Sequence, residues 1–380
     1  MPIELLPGDP APWFVAANAA NPRYSMSSVA GRYVLLVFPG PAGHPTTAQA
    51  YAALTEARQS GLLDDLRCAG FAVCLGRAAE GPPSLRDQLP GLRILWDEDG
   101  AAARLYGLLR QGATGELAYT PAAFLLDPLL RVIAGGGVAI LPLLLARLRR
   151  LPDPALHAGA ETPAPVLLLP RVLEPELCSR LIEAYEAGGG AESGFMLEQD
   201  GRTVGILDHA TKRRRDQEIT DEVLRRALRA RIGRRIAPEM RKAFQFNPTR
   251  IERYIVACYE GANGGHFRAH RDNTTPGTAH RQFAITINLN DAFEGGELCF
   301  PEFGARRYRM PAGGAVVFSC SLLHEAAPVT RGRRFATLPF LYDDAAAALR
   351  EANKQTVQAE SESWPAGGHA PPPGQESRRD

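Results

Sequence analysis

The apolar and polar positions change their period partway along the chain. Up to about residue 150, short apolar runs alternate with helical patterns. Tyr33–Phe38, Gly70–Leu75, Leu92–Trp96, Pro121–Leu126 and Leu130–Ile133 read as strands. Thr47–Gly61, Ala101–Leu109 and Leu141–Arg150 read as helices. That order predicts a sheet with helices on its faces. Leu151–Pro165 (LPDPALHAGAETPAP) carries no apolar period and is rich in proline and alanine, so it reads as a linker.

The second half begins helical. Glu174–Glu186 has Pro175 where a missing N–H costs little, and Leu177, Leu181, Ile182 and Tyr185 share one face. Asp221–Arg241 repeats the pattern with Val223, Leu224, Leu228, Ile232 and Ile236. From Ile251 the period becomes that of strands: Ile251–Tyr259, Phe283–Leu289, Glu297–Phe300, Gly314–Phe318 and Arg334–Leu341. In the second of these, Phe283, Ile285, Ile287 and Leu289 fall on one side, and Ala284, Thr286 and Asn288 on the other. Helices followed by many short strands suggest a helix-buttressed antiparallel barrel or sandwich. The expected division is a first domain over 1–150, a linker over 151–166, a second domain over 167–345 and a tail over 346–380. The tail is expected to be disordered after about 353, where its composition turns polar and proline-rich.

Composition narrows the picture a little. The 380 residues carry a formal net charge of +1, so charge does not mark a nucleic-acid binder. The six cysteines are scattered through apolar segments with no secretory pattern before them, which favours a reducing, cytoplasmic setting. The greasiest stretch, Val138–Leu148, contains Pro142 and Arg147 and is too short to span a bilayer. Asp208–Arg235 holds ten lysines and arginines, either a solvated face or a surface for an acidic partner.

Chemistry concentrates in Cys258–Asn273, CYEGANGGHFRAHRDN. His270 and Asp272 are two apart, which in extended backbone places an imidazole and a carboxylate on the same face. His324, after the Gly314–Phe318 strand, is the candidate third ligand. Two histidines and one carboxylate leave positions open on an octahedral metal, the facial arrangement of non-haem iron(II) oxygenases. Arg334 lies ten residues beyond His324 and offers a fixed bidentate donor to an anion beside the metal. Arg281 is a candidate for a substrate carboxylate or backbone, against a surface ion pair. Thr286 and Asn288 line the site if their face points inward.

With VACYEGANGGHFRAHRDN, LNDAFEGGELCFPEFG and MPAGGAVVFSCSLLHEAAPVTRGRR in view, Leu167–Tyr342 resembles the iron(II)- and 2-oxoglutarate-dependent dioxygenases, in their prolyl-4-hydroxylase-like branch. The resemblance implies a double-stranded β-helix (jelly roll) flanked by helices. It implies Fe(II) on His270, Asp272 and His324, 2-oxoglutarate and O₂ as cosubstrates, and ascorbate as a further candidate cofactor. Arg334 would hold the distal carboxylate of 2-oxoglutarate, with Tyr259 beside it. The implied reaction hydroxylates an unactivated C–H bond and releases succinate and CO₂. A protein or peptide residue such as proline is the leading substrate. A free amino acid or small natural product is the alternative, and a metal-binding interaction protein with little turnover is a third reading. Nucleic acid and membrane are not expected partners.

The first domain, Ile3–Arg150, resembles the peroxiredoxins of thioredoxin-like fold through PGDPAPWF, YVLLVFPGPAGHPTT, ILWDEDGAAARLYGLL and TPAAFLLDPLLRVI. That family carries its peroxidatic cysteine a few residues after the turn that Phe38–Thr47 occupies here, and FPGPAGHPTT has none. A threonine hydroxyl does not ionise near neutral pH and does not replace a thiolate. A non-catalytic scaffold is therefore expected, for docking or for homodimer formation.

Overall fold

A computed structural model describes residues 5–112, 115–199 and 201–357. The tail expected to be disordered after about 353 falls largely outside these residues. The chain forms two compact units. One comprises the chain up to Pro163 together with Pro301–Gly304, and the other comprises Ala164–Phe300 and the described chain from Ala305. Among the described residues no helix is long and apolar enough to cross a membrane.

The first unit is built on β1 (Tyr33–Pro41), α1 (Pro45–Gln59), β2 (Cys68–Leu75), β3 (Leu92–Asp97), α2 (Ala101–Leu105), β4 (Ala122–Leu126), β5 (Val132–Gly137) and α3 (Leu141–Arg150). The sheet runs β3-β2-β1-β4-β5, with β1, β2 and β3 parallel and β4 and β5 antiparallel. β1 is buried along almost its whole length, as a central strand covered on both faces must be. Leu54 of α1 and Leu144 and Leu148 of α3 pack with Leu35, Val37 and Ile94 of the sheet. This is the thioredoxin-like arrangement that the sequence implied.

Several boundaries differ from the expected ones, two of them for a clear local reason. The helix read as Ala101–Leu109 stops at Leu105, because Gly107 takes a left-handed backbone and Leu109 starts a short strand. The strand read as Leu130–Ile133 starts only at Val132. Asp127 accepts the N–H groups of Leu129 and Arg131 and holds that stretch as a turn.

The second unit is built chiefly on β6 (Leu167–Leu169), α4 (Pro175–Gly188), β7 (Ala191–Glu192), β8 (Lys212–Arg213), β9 (Arg215–Glu218), α5 (Glu222–Arg231), α6 (Ala237–Phe244), β10 (Arg250–Glu252), β11 (Ile255–Glu260), β12 (His266–His270), β13 (Phe283–Asn288), β14 (Leu298–Cys299), β15 (Arg307–Tyr308), β16 (Ala315–Ser319), β17 (His324–Ala326), β18 (Val329–Thr337), β19 (Phe340–Tyr342) and α7 (Asp344–Ala352). Helix α7 occupies the stretch where the sequence suggested that the tail begins. The larger sheet runs β6-β16-β13-β18-β11-β9-β7, with β19 pairing β10 and β13. The smaller runs β8-β12-β17-β14-β15. Helices α4 and α5 supply Leu177, Leu181, Leu224 and Leu228 to a core shared with Ile285, Ile287 and Val317 of the larger sheet. The apolar side of β13 is thus the side that faces the helices.

Three elements read as continuous are interrupted. Asp221–Arg241 is α5, a π-helical turn over Ile232–Ile236, and α6. Ile251–Tyr259 is two strands, with Arg253 in a left-handed conformation between them. Arg334–Leu341 belongs to β18 and β19, separated at Pro339, which has no N–H for a ladder.

Candidate metal centre

β12 and β17 are antiparallel neighbours, and their register sets His270 directly opposite His324. Facing residues on adjacent strands share a face at close range. Asp272 follows β12 by two residues, and its N–H donates to Cys320 O at 3.0 Å, which fixes the turn that returns the carboxylate. One ligand atom from each of the three residues lies within 4.8 Å of the others. His270 Nε2 is 3.5 Å from Asp272 Oδ1, and His324 Nε2 is 3.4 Å from Asp272 Oδ2.

The ring tautomers follow from the outer contacts. His270 Nδ1 meets Arg268 O at 2.7 Å and His324 Nδ1 meets Leu322 O at 3.0 Å. A carbonyl only accepts, so each Nδ1 carries the proton and each Nε2 presents a lone pair. Phe267 stacks on His270 at 3.5 Å and Phe318 packs edge-on to His324 at 4.6 Å, which restrains both rings. Burial and the neighbouring His270 push His324 down to about 4, so it is neutral near pH 7. Two lone pairs and a carboxylate converging on one point repel unless a cation stands among them. The donor set and its tautomers therefore fit a divalent metal with open positions.

The opposite wall of the same cavity belongs to the larger sheet. Arg334 on β18 is the register partner of Tyr259 on β11, and its guanidinium lies 5.2 Å from the Tyr259 ring. Arg334 is 2% exposed, and its Nε donates to Asn288 Oδ1 at 3.1 Å. Among the described residues no hydrogen bond engages its two terminal nitrogens, so a bidentate fork is left for an anion. Gly296, at φ +70°, clears its path, since a Cβ there would meet Arg334 Cδ at 3.0 Å. Tyr259, Thr286 and Arg334 line one cavity with His270, Asp272 and His324.

Two of the expected substrate contacts sit elsewhere. Asn288 is buried behind Arg334 and donates its amide to Met310 O, so it orients the arginine and does not face the cavity. Arg281 gives its fork to Glu252 at 2.8 and 3.3 Å and covers Phe340 at 4.2 Å. It lines a neighbouring cavity of ≈260 Å³ with Glu252 and His280.

Sequence reasoning missed Arg214 and Arg253, which line the metal cavity. Arg214 was read within the basic stretch as part of a surface, yet it is 5% exposed, as is Lys212. The available signal was alternation: Lys212, Arg214 and Asp216 fall on one side of an extended run. Other charges of that stretch are met internally. Arg225 and Arg229 lie over the Tyr254 ring, and Arg231 and Arg235 pair with Glu174.

Residues 254–342 match the 2OG-Fe(II) oxygenase superfamily. A PKHD-type hydroxylase of Maricaulis maris is 29% identical over 175 residues, which is 45% of this chain and 74% of the relative. A prolyl hydroxylase solved with a hypoxia-inducible-factor peptide fragment, from Trichoplax adhaerens, is 17% identical with a TM-score of 0.37, covering 53% of this chain and 92% of that one. The peroxidoxin BcpB of Mycobacterium tuberculosis is 17% identical with a TM-score of 0.31, covering 40% of this chain and 100% of that one. The match over residues 254–342 lies within the second unit, and the matched superfamily is one of oxygenases that use Fe(II), 2-oxoglutarate and O₂.

Proposed function

We propose, on the premise that the second unit is a 2OG-Fe(II) oxygenase domain, that the protein hydroxylates an unactivated C–H bond in a protein or peptide residue such as proline. The convergence of His270, Asp272 and His324 within 4.8 Å, in one cavity with the open fork of Arg334, carries this reading. When bound, Fe(II) would supply the redox chemistry that couples decarboxylation of 2-oxoglutarate to succinate and CO₂ with hydroxylation of the substrate. His270 and His324 would hold the metal through Nε2 and Asp272 through its carboxylate. Arg334 receives the distal carboxylate of 2-oxoglutarate, Asn288 keeps its Nε aligned, and Tyr259 packs against the same group. Ala284, Ile285, Leu298, Phe318 and Leu338 give the cavity apolar walls that keep bulk water from the reacting atoms. The first unit acts as a scaffold that docks the substrate or joins two copies of the chain.

Addition of Fe(II) and 2-oxoglutarate without oxygen tests this directly, by the visible charge-transfer absorption of the chelate. His324→Ala should abolish the absorption. Arg334→Ala should weaken 2-oxoglutarate binding at least about tenfold, the loss expected of a buried charge-assisted pair, while retaining Fe(II) in a chelator competition. Equal loss of Fe(II) in both variants would overturn the assigned roles.

A further inference from the structure

The cavity holds more positive charge than the proposed reaction uses. Arg214, Arg253 and Arg334 all line it. In the reading above, on which this inference rests, 2-oxoglutarate answers Arg334 and the metal answers Asp272. That leaves Asp216 for the other two arginines. Its Oδ2 accepts from Arg214 Nη2 at 2.6 Å and from Arg253 Nη2 at 3.2 Å. One carboxylate between two guanidiniums leaves a cation over. Nearby Lys212 brings no carboxylate to the balance, and its amine donates to Ser193 Oγ and Gly194 O. Uncompensated charge in a partly desolvated cavity is costly unless an anionic ligand completes it.

The backbone delivers one of these arginines by an unusual route. Arg253 takes φ +68° between β10 and β11, a conformation rare for a side-chain-bearing residue. The kink breaks the strand alternation, so that Tyr254 packs against the helix core while Arg253 lies over Phe340 at 5.4 Å. Such conformations persist where surrounding contacts over-determine them, and they gather at ligand sites. Arg214 is a fixed wall: its side chain is 4% exposed, its Nη1 donates to the Tyr259 hydroxyl at 3.3 Å, and its Nε is buried with no partner. Arg253, with a side chain 26% exposed, is the reachable member.

We propose that Arg253, braced by Asp216 and backed by Arg214, receives a carboxylate of the primary substrate, so that the residue hydroxylated carries its own free carboxylate. A free amino acid and the C-terminal residue of a peptide share this chemistry. Arg253 confers specificity and takes no part in holding the metal or 2-oxoglutarate.

The test uses the whole 380-residue chain loaded with Fe(II) and 2-oxoglutarate without oxygen. Calorimetric titration would compare the proteinogenic L-amino acids with their carboxamides, and N-acetylglycyl dipeptide acids with their amides. At least one acid should bind about 10- to 100-fold more tightly than its amide. Arg253→Asn, which tolerates the left-handed backbone, should erase the preference, and Arg253→Lys should keep part of it. Both should bind 2-oxoglutarate within about twofold of the parent protein. Preference for free acids identifies a small-molecule substrate, and preference for capped dipeptide acids identifies a peptide terminus. The proposal is overturned if no acid in the panel exceeds its amide, or if Arg253→Asn weakens 2-oxoglutarate to the same degree. Failure of the parent protein to take up 2-oxoglutarate sinks the oxygenase reading and this inference with it. Uptake without acid preference sinks this inference alone.

Discussion

The two units bury polar groups for different ends. In the first, the buried polar side chains serve the backbone or close a local pair. Thr47 donates to Pro41 O at the start of α1, Asp97 accepts the N–H groups of Ala102 and Ala103 at α2, and Asp65 pairs with Arg93. In the second, Arg214, Thr286, His324 and Arg334 are all nine-tenths or more buried, and all line one cavity. A buried polar group spent on a cap is structural, whereas several converging on shared space, with lone pairs and a guanidinium fork left over, mark a site. The cysteines make the same contrast from the other side. All six are free, and burial pushes the Cys74 thiol up to about 12 and the Cys68 thiol higher still. Thiols of that kind are protonated at neutral pH and do not act as nucleophiles.

The largest effects should separate the units cleanly. Asp272→Ala removes a proposed ligand and should cut 2-oxoglutarate turnover by at least about 100-fold, since even the loss of a group supporting a ligand costs about 10- to 100-fold. Cys68→Ala with Cys74→Ala should leave turnover per folded molecule unchanged, and neither thiol should be alkylated at pH 8 until denaturant is added. Rapid alkylation of the folded protein, read by mass spectrometry, would break the contrast and return a redox role to the first unit.

A middle-sized effect sharpens the contrast within the second unit, between the metal cavity and its neighbour. Glu252 binds both His280 and Arg281, and none of the three is assigned chemistry. Burial alone would raise its carboxyl, but His280 and Arg281 outweigh this and hold it well below the usual range. The folded state thus binds fewer protons than the unfolded chain as this group titrates. Its contribution to stability is present above the ordinary carboxyl range and is lost as pH falls below it. Glu252→Gln should cost about 3 kcal/mol at pH 7, the scale for breaking a buried pair, and should flatten the fall of Tm between about pH 5 and 3. A variant with parent-like Tm at both pH values would show that the cluster is not structural.

Period and spacing made much of this legible, and the failures have common physical causes. The candidate metal ligands could be read because HxD spacing and a later histidine encode donor type and face in local sequence. α3 was legible to the residue, since its ends are marked by Pro142 and a run of arginines. The kink at Arg253 was not legible, because it depends on tertiary pairing that overrides local preference, whereas the break at Pro339 carried a local signal that went unread. Arg214 was hidden because a charged residue in a basic run reads as surface. Only the fold supplies Asp216 and Tyr259 as the partners that let it stay inside. Asn288 was placed on the correct strand face but given the wrong duty, since its partner Arg334 comes from a different strand.

That duty yields the smallest and most discriminating effect. Asn288 touches Arg334 through Oδ1 and Met310 through its amide, and its side chain does not line the cavity. If it positions the arginine, Asn288→Ala should raise the KM for 2-oxoglutarate about fivefold, the size of one net hydrogen bond, with little change in kcat at saturating cosubstrate. Asn288→Asp retains an acceptor at the same place and should recover most of the loss. A residue that merely filled space would lower Tm in both variants and leave the KM unmoved. One that touched the substrate would shift the substrate's KM instead. The split between the two Michaelis constants therefore decides whether the larger sheet contributes a single arginine to the site or an arginine together with the strand that aims it.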